Sequence, residues 1–158
     1  DCLLSRGLGD VYKRQMLISC FSFTEVAKEA SKVMKEGGSM LTLTYESTKA
    51  IPNYNVMGGC KSALEASVNY LERELGGKGI RFNALAPGPI DNRMMESLGT
   101  QSQPDDPSNF RENVTANIPS GRYGTNEEMA NLALFLGSDE SSYCNGSVYL
   151  ADGGFTAA

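Results

Sequence analysis

The chain has 158 residues, of which 41% are hydrophobic and 21% charged, proportions that are typical of one globular domain. The net charge of −5 argues against a nucleic-acid partner, because phosphate binding requires clustered lysine and arginine side chains. No apolar run approaches the ~20 residues that a membrane-spanning helix needs. The four cysteines lack metal-like spacing and histidine is absent, so we expect reduced thiols in a cytoplasmic protein and no metal site.

The N-terminal residues 1–15 show neither helical nor strand periodicity, and Met16 follows them as a plausible start. Their last letters, DVYKRQ, are similar to the translated adapter sequence found at the ends of assembled metagenomic reading frames. A native disordered tail is the alternative interpretation. In either case we exclude residues 1–15 from the fold prediction and assign residues 16–158 to a single domain.

The first predicted helix covers about residues 23–36, where apolar side chains recur at intervals of three and four. Ser22 and Glu25 have the spacing of a capping box at its start, and the glycine pair that follows is expected to end it. The short alternating sequence SMLTLT then predicts a strand over residues 39–44.

The middle of the chain predicts a long helix, a strand and a loop. Apolar spacing predicts the helix over residues 55–75, and IRFNALA predicts a strand over residues 80–86. Residues 91–121 are rich in polar residues and proline, so we expect an irregular segment with one helical patch at 94–98. A segment of this kind and length is typical of a functional lid or mobile loop.

A capping box that begins at Thr125 predicts a helix as far as Gly137, and GSVYLADGG then predicts a strand and a turn. Helices that alternate with three strands indicate a parallel sheet with right-handed crossovers. Three covered strands make a thin core, and no glycine-rich phosphate turn precedes the first helix. We therefore expect the C-terminal half of a Rossmann-like, doubly wound α/β domain whose N-terminal half is missing.

A tyrosine and a lysine lie seven positions apart at the start of the long helix. Residues with this spacing differ by about 20° in azimuth, so Tyr54 and Lys61 can share one helix face. The helix dipole and the ammonium group would then lower the pKa of Tyr54 and prepare it to donate a proton or to stabilise an oxyanion. Residue types alone favour the alternative, a partly exposed tyrosine and a lysine at the rim of an ordinary helix.

The surrounding sequence, AIPNYNVMGGCKSALEASVNYL followed by GIRFNALAPGPI, resembles the enoyl-acyl-carrier-protein reductases, a branch of the short-chain dehydrogenase/reductase superfamily. The resemblance extends from about residue 17 to the end of the chain and is densest over residues 50–90. Ordinary members of the superfamily have Tyr-x-x-x-Lys, which would require a tyrosine where Met57 stands. Tyr54 and Lys61 match the enoyl reductase pattern, Tyr-x6-Lys.

The resemblance implies roles for further residues. Tyr45 matches the family's second tyrosine, although nine positions rather than ten separate it from Tyr54, and simple strand-end packing is an equal alternative. The sequence PGPI matches the turn whose backbone holds the nicotinamide, and residues 91–117 coincide with the loop that covers the substrate. The implied cofactor contacts are Lys61, Pro87, Gly88, Pro89, Ile90 and Asn92, where threonine is usual, and the implied substrate contacts are Tyr45, Tyr54, Met94, Met95 and Leu98.

The activity that the resemblance implies is reduction of an enoyl thioester with NADH or NADPH. Tyr54 would hydrogen-bond the thioester oxygen, Lys61 would hold the nicotinamide ribose, and Tyr45 would assist the oxyanion or shape the acyl pocket. Packing of the two long helices against neighbouring copies would make the full-length protein a homotetramer.

Two alternatives remain open. The C-terminal sequence LGSDESSYCNGSVYLADGGFTA looks more like ordinary short-chain dehydrogenases, which leaves a carbonyl or alcohol substrate possible. The second alternative is a catalytically inactive fragment that binds cofactor poorly, because the dinucleotide-binding half is not in this sequence.

Overall fold

Three parallel strands form one sheet in the order β1-β2-β3. The structure is a computed structural model, and it describes residues 8–47, 49–50, 54–103 and 106–157. The predicted strands are confirmed: the first two differ from their predicted bounds by one residue, and the third lies within GSVYLADGG. Their pairing is parallel, as predicted. The strands are β1 (Gly38–Leu43), β2 (Ile80–Pro87) and β3 (Val148–Ala151).

Helices cover the sheet and extend beyond its ends. In the described part of the chain, no helix is long and apolar enough to cross a membrane. A π-helical turn, Leu17–Phe21, joins the first two helices. The helices are α1 (Leu8–Met16), α2 (Ser22–Ala30), α3 (Asn55–Leu75), α4 (Arg93–Ser102), α5 (Pro107–Ala116) and α6 (Asn126–Gly137), with short 3-10 turns at Gly76–Lys78 and Asp139–Ser141.

The prediction for the first helix was wrong at both ends. Helical structure runs from Leu8 through the π-helical turn to Ala30, so Ser22 lies inside it. The Ser22 hydroxyl donates to the carbonyl oxygen of Ile18 at 2.6 Å and caps no helix start. Most of α1 is exposed to solvent. Apolar residues nevertheless recur in it at helical spacing, at positions 8, 11, 12 and 16, so the expectation that residues 1–15 lack helical periodicity was wrong over α1.

The core lies between α3 and the sheet. The predicted bounds of α3 are confirmed, and its buried residues recur at intervals of three and four, which places them on one face. Phe82, in the central strand, is completely buried there. The cluster around it contains Ala27, Met40, Val68, Leu71, Ile80, Phe82 and Ala84.

The segment after β2 is more helical than predicted. Instead of one patch at 94–98 it contains α4 and α5, both begun by polar N-caps. The Asp106 side chain accepts from the amide of Asn109 at 3.2 Å, and Pro107 occupies the first helical turn. The capping box at Thr125 is confirmed, since its hydroxyl accepts from the Glu128 amide and the Glu128 carboxylate accepts from the Thr125 amide.

Candidate active site

A cleft of about 580 Å³ lies between the segment that follows β1 and the first turns of α3. Its position fits the general rule that ligands of parallel α/β sheets bind outside the carboxyl ends of the strands. Its described lining consists of Tyr45, Glu46, Ser47, Lys49, Ala50, Tyr54, Asn55, Gly58, Gly59 and Ser62.

The two predicted tyrosines meet in this cleft. The rings of Tyr45 and Tyr54 are stacked, with 4.1 Å between their centroids and 15° between their planes. Tyr45 comes from the segment after β1, and Tyr54 is the N-cap residue of α3. The tertiary fold therefore brings two phenol rings from separate segments to the wall of one cleft, where aromatic stacking stabilises their arrangement.

The expected lowering of the Tyr54 pKa was wrong. Burial raises the pKa of Tyr54, because the fold removes water from the charged phenolate. Burial, with added repulsion from Tyr54 and Glu46, raises the pKa of Tyr45 to about 12. Both phenols are therefore protonated near neutral pH, and each can donate its O–H as a hydrogen bond.

Lys61 contacts the end of β1. Its Nζ donates to the carbonyl oxygen of Leu43, the last residue of that strand, at 2.8 Å. Burial lowers the pKa of Lys61, and the neighbouring Cys60 and Glu65 oppose this effect. The ammonium group therefore contacts the chain two residues before Tyr45, and Lys61 itself lies on the helix that begins beside Tyr54.

The PGPI turn is fixed by tight backbone packing. The amide of Gly88 donates to the carbonyl oxygen of Ala151 at 3.0 Å. A Cβ atom at Gly88 would lie 2.5 Å from the Cα of Asp152, so no side chain fits there. Ile90 is buried and pairs with Gly124 in an isolated parallel bridge. These contacts explain the glycine and hold the turn between β3 and the segment before α6.

Of the predicted site residues, Tyr45 and Tyr54 alone belong to the described lining of the cleft. The predicted residues outside that lining are Lys61, Pro87, Gly88, Pro89, Ile90, Asn92, Met94, Met95 and Leu98. Asn92 caps α4, since its Oδ1 accepts from the amides of Met94 and Met95 at 3.0 and 3.1 Å. Met94 and Leu98 are 60% and 37% exposed. Within the described residues, these methionines and Leu98 lie outside the cleft wall. Their contact with a substrate stays a prediction.

Sequence reasoning missed several polar and small residues of the cleft. Gly58 and Ser62 follow the predicted Tyr54 at intervals of four along α3, a helical spacing that could have identified them. A Cβ atom at Gly58 or Gly59 would meet no atom within 4 Å, so space remains open against the helix backbone. Among the described residues, no group of three His, Cys, Asp or Glu side chains could hold a metal ion.

The donors around the cleft fit an oxygen-rich ligand. The protonated phenols of Tyr45 and Tyr54 can donate to a carbonyl or enolate oxygen, whereas the Lys61 ammonium, which donates to Leu43, lies outside the described cleft lining. The open surface along Gly58 and Gly59 allows a ligand to approach the main chain. This arrangement suits a ligand with a carbonyl-type oxygen.

Several known proteins of similar sequence and fold are reductases. The family model described as "Enoyl-(Acyl carrier protein) reductase" matches residues 8–156. "Enoyl-[acyl-carrier-protein] reductase [NADH] 2" of Rhizobium meliloti is 46% identical over 147 residues, which are 92% of this chain and 53% of the relative. The enoyl-acyl-carrier-protein reductase of Anaplasma phagocytophilum, solved in complex with NAD, has a TM-score of 0.83 and 36% identity, covering 100% of this chain and 56% of that one.

A second branch of reductases shares the fold. The crystal structure of levodione reductase has a TM-score of 0.86 and 31% identity, covering 93% of this chain and 58% of that one. The chain spans about half the length of the curated relatives it matches. The family model covers nearly all of the chain. The chain therefore belongs to the enoyl-acyl-carrier-protein reductase family, within the short-chain dehydrogenase/reductase superfamily.

Proposed function

We propose that the full-length protein containing this chain is an NADH- or NADPH-dependent oxidoreductase that reduces the carbon–carbon double bond of an enoyl thioester carried by acyl carrier protein. The stacked Tyr45 and Tyr54 in the cleft beyond β1 are the observation that carries this proposal. The relatives named as NADH-dependent enoyl reductases and the NAD complex support the choice of cofactor.

Tyr54 stabilises the charge that develops during reduction. Bound nicotinamide cofactor supplies a hydride, which adds to the β-carbon of the thioester. Negative charge then develops on the thioester oxygen, and the Tyr54 hydroxyl donates a hydrogen bond to it. Because burial raises the pKa of Tyr54, the phenol stays protonated and its O–H is available as the donor to that oxygen. Tyr45, stacked on the same ring, shapes the acyl pocket or donates a second hydrogen bond.

The remaining predicted residues hold the cofactor and cover the acyl chain. The Lys61 ammonium would bind the ribose hydroxyl oxygens of the cofactor, and the PGPI backbone would hold its carboxamide. Asn92 would donate to the cofactor through its Nδ2, because its Oδ1 accepts from a backbone amide at the start of α4. The apolar side chains of α4 that cover the acyl chain are Met94, Met95 and Leu98.

Substrate discrimination tests this proposal. We expect a full-length reductase, in which this chain replaces the matching part of a family member, to reduce an enoyl thioester. We expect little or no turnover of ketone or ketoacyl substrates, since the proposed site stabilises an enolate oxygen. Oxidation of NADH or NADPH, followed at 340 nm with each substrate, measures both activities. Turnover of ketones alone would contradict the enoyl assignment.

A carbonyl reductase is the second candidate. The fold similarity to levodione reductase is as high as that to the enoyl reductases, and the C-terminal sequence resembles ordinary short-chain dehydrogenases. The substrate assay separates the two candidates.

A third possibility is that this chain alone is catalytically inactive. It spans about half the length of its relatives and is expected to bind cofactor poorly.

The full-length protein is proposed to be a cytoplasmic homotetramer. The helical segment from α1 to α2 carries exposed apolar residues, and Tyr70 of α3 is 69% exposed. A second copy packed on these helices would remove that surface from water. The exposed apolar residues on the first segment are Leu17, Ile18, Phe21 and Val26. Sedimentation equilibrium of the full-length protein should give four times the protomer mass.

A further inference from the structure

We infer that Glu65 is a positioning residue, which holds the segment carrying Tyr45 against α3 and so keeps Tyr45 stacked on Tyr54. Glu65 lies on α3 and is partly buried. One carboxylate oxygen accepts from Thr44 Oγ1 at 2.7 Å, and the other accepts from Ser47 Oγ at 2.5 Å. Thr44 directly precedes Tyr45 and Ser47 follows it by two residues, so the carboxylate bridges the chain on both sides of the tyrosine.

The threonine end of this bridge is well anchored. Thr44 is buried, with 6% of its surface exposed, and a buried hydroxyl needs a partner. The Thr44 amide also donates to the carbonyl oxygen of Leu85 in β2 at 2.9 Å. Thr44 is therefore bonded to the sheet through its amide and to α3 through its hydroxyl.

A second contact from the same helix face supports this arrangement. Lys61 lies four residues before Glu65, one helical turn away, and donates to the carbonyl oxygen of Leu43. The two charged side chains thus bind neighbouring parts of one short segment. Because α3 begins beside Tyr54, these contacts fix the position of Tyr45 relative to the tyrosine on the helix.

A carboxylate at this position binds two hydroxyl donors at once, and hydrogen bonds to an ionised acceptor are stronger than neutral ones. Glutamine preserves much of this geometry, because its amide oxygen accepts from one hydroxyl while its NH₂ donates to the other hydroxyl oxygen. Alanine preserves none of it. Both variants remove the charge, and Glu65→Ala alone also removes the hydrogen-bonded bridge and the side-chain volume, so the pair separates the charge from the bridge.

Glu72 offers a matched control on the same helix. It is also partly buried, and its Oε1 accepts from Asn145 Nδ2 at 3.0 Å, far along the chain from either tyrosine. Glu72→Ala thus removes a comparable tertiary hydrogen bond from α3. It leaves the Tyr45 segment untouched.

The direct test measures the position of the Tyr45 ring. In the full-length reductase labelled with fluorotyrosine, the ¹⁹F resonance of Tyr45 is the one lost in Tyr45→Phe. We expect Glu65→Ala to move this resonance away from its wild-type chemical shift, because the Tyr45 ring leaves the Tyr54 ring. Glu65→Gln and Glu72→Ala should leave it near the wild-type value. A Thr44→Val, Ser47→Ala double variant should reproduce the shift of Glu65→Ala, because it removes the same two hydrogen bonds.

Two outcomes would overturn the inference. One is a wild-type Tyr45 resonance in Glu65→Ala, and the other is a shift in Glu65→Gln as large as that in Glu65→Ala. If Glu65→Ala does not fold, the Thr44→Val, Ser47→Ala variant decides the same question, since it keeps the carboxylate and removes its partners.

The kinetic consequence rests on the proposed function. With an enoyl thioester we expect Glu65→Ala to lower kcat by about tenfold, because small misplacements of catalytic groups slow turnover strongly. Glu65→Gln should recover most of that loss. A moved Tyr45 resonance with unchanged kcat would uphold the positioning and remove Tyr45 from the chemistry. Absence of enoyl reduction in the wild-type protein would count against the proposed function and leave the resonance test intact.

Discussion

Replacement of Tyr54 by phenylalanine is expected to lower kcat for an enoyl thioester by about 10²–10³-fold in the full-length reductase, the usual cost of losing an oxyanion donor. Phenylalanine keeps the ring that stacks on Tyr45 at 4.1 Å, so only the hydroxyl is lost. Steady-state assays at saturating cofactor measure the effect. The loss should lie in kcat, because the hydrogen bond strengthens as charge develops on the thioester oxygen.

Tyr143→Phe is the matched control for this experiment. Tyr143 is fully exposed and is not part of the described cleft lining. Its replacement should leave the turnover of the full-length reductase unchanged. Near-normal turnover of Tyr54→Phe would show that the Tyr54 hydroxyl has no catalytic role, whatever the substrate.

Replacement of Phe82 by alanine is expected to lower the free energy of unfolding by about 3–5 kcal/mol. Phe82 is completely buried in the central strand, and it belongs to the cluster that joins β1 and β2 to α3. Removal of the ring leaves a cavity that the surrounding strands and helix fill only in part. Urea denaturation at one protomer concentration, with wild type and variant compared, measures the change.

Leu134→Ala provides the control for the core variant. Leu134 is on α6 and is 72% exposed, so we expect its replacement to change the free energy of unfolding by less than about 0.5 kcal/mol. Equal losses for both variants would show that Phe82 is not at the centre of the core.

Local sequence patterns predicted most of the framework. The bounds of α3 followed from apolar residues that recur at helical spacing, and the strands followed from short alternating runs. The Thr125 capping box marked the start of α6, because the bonds that begin this helix join residues only three positions apart. Such features can be predicted from the sequence because each depends only on residues that are close together in the chain.

Exposed and polar segments were predicted less well. Helix α1 is mostly exposed, and α4 and α5 occur where the composition indicated an irregular loop. Their starts depend on single polar caps such as Asn92 and Asp106, which carry less information than a buried helix face. The position of α2 also differed, because Ser22 was read as a helix start although it lies inside continuous helix.

The sequence by itself determined the family pattern, the parallel α/β order and the seven-residue spacing of Tyr54 and Lys61. The tertiary structure alone decided that Tyr45 stacks on Tyr54, that burial raises rather than lowers the Tyr54 pKa, and that Glu65 bridges the segment around Tyr45. The physical reason is distance along the chain. Helical spacing and caps are local, whereas the loss of water around a phenol and a hydrogen bond across 18 or 21 residues exist only once the segments have packed together.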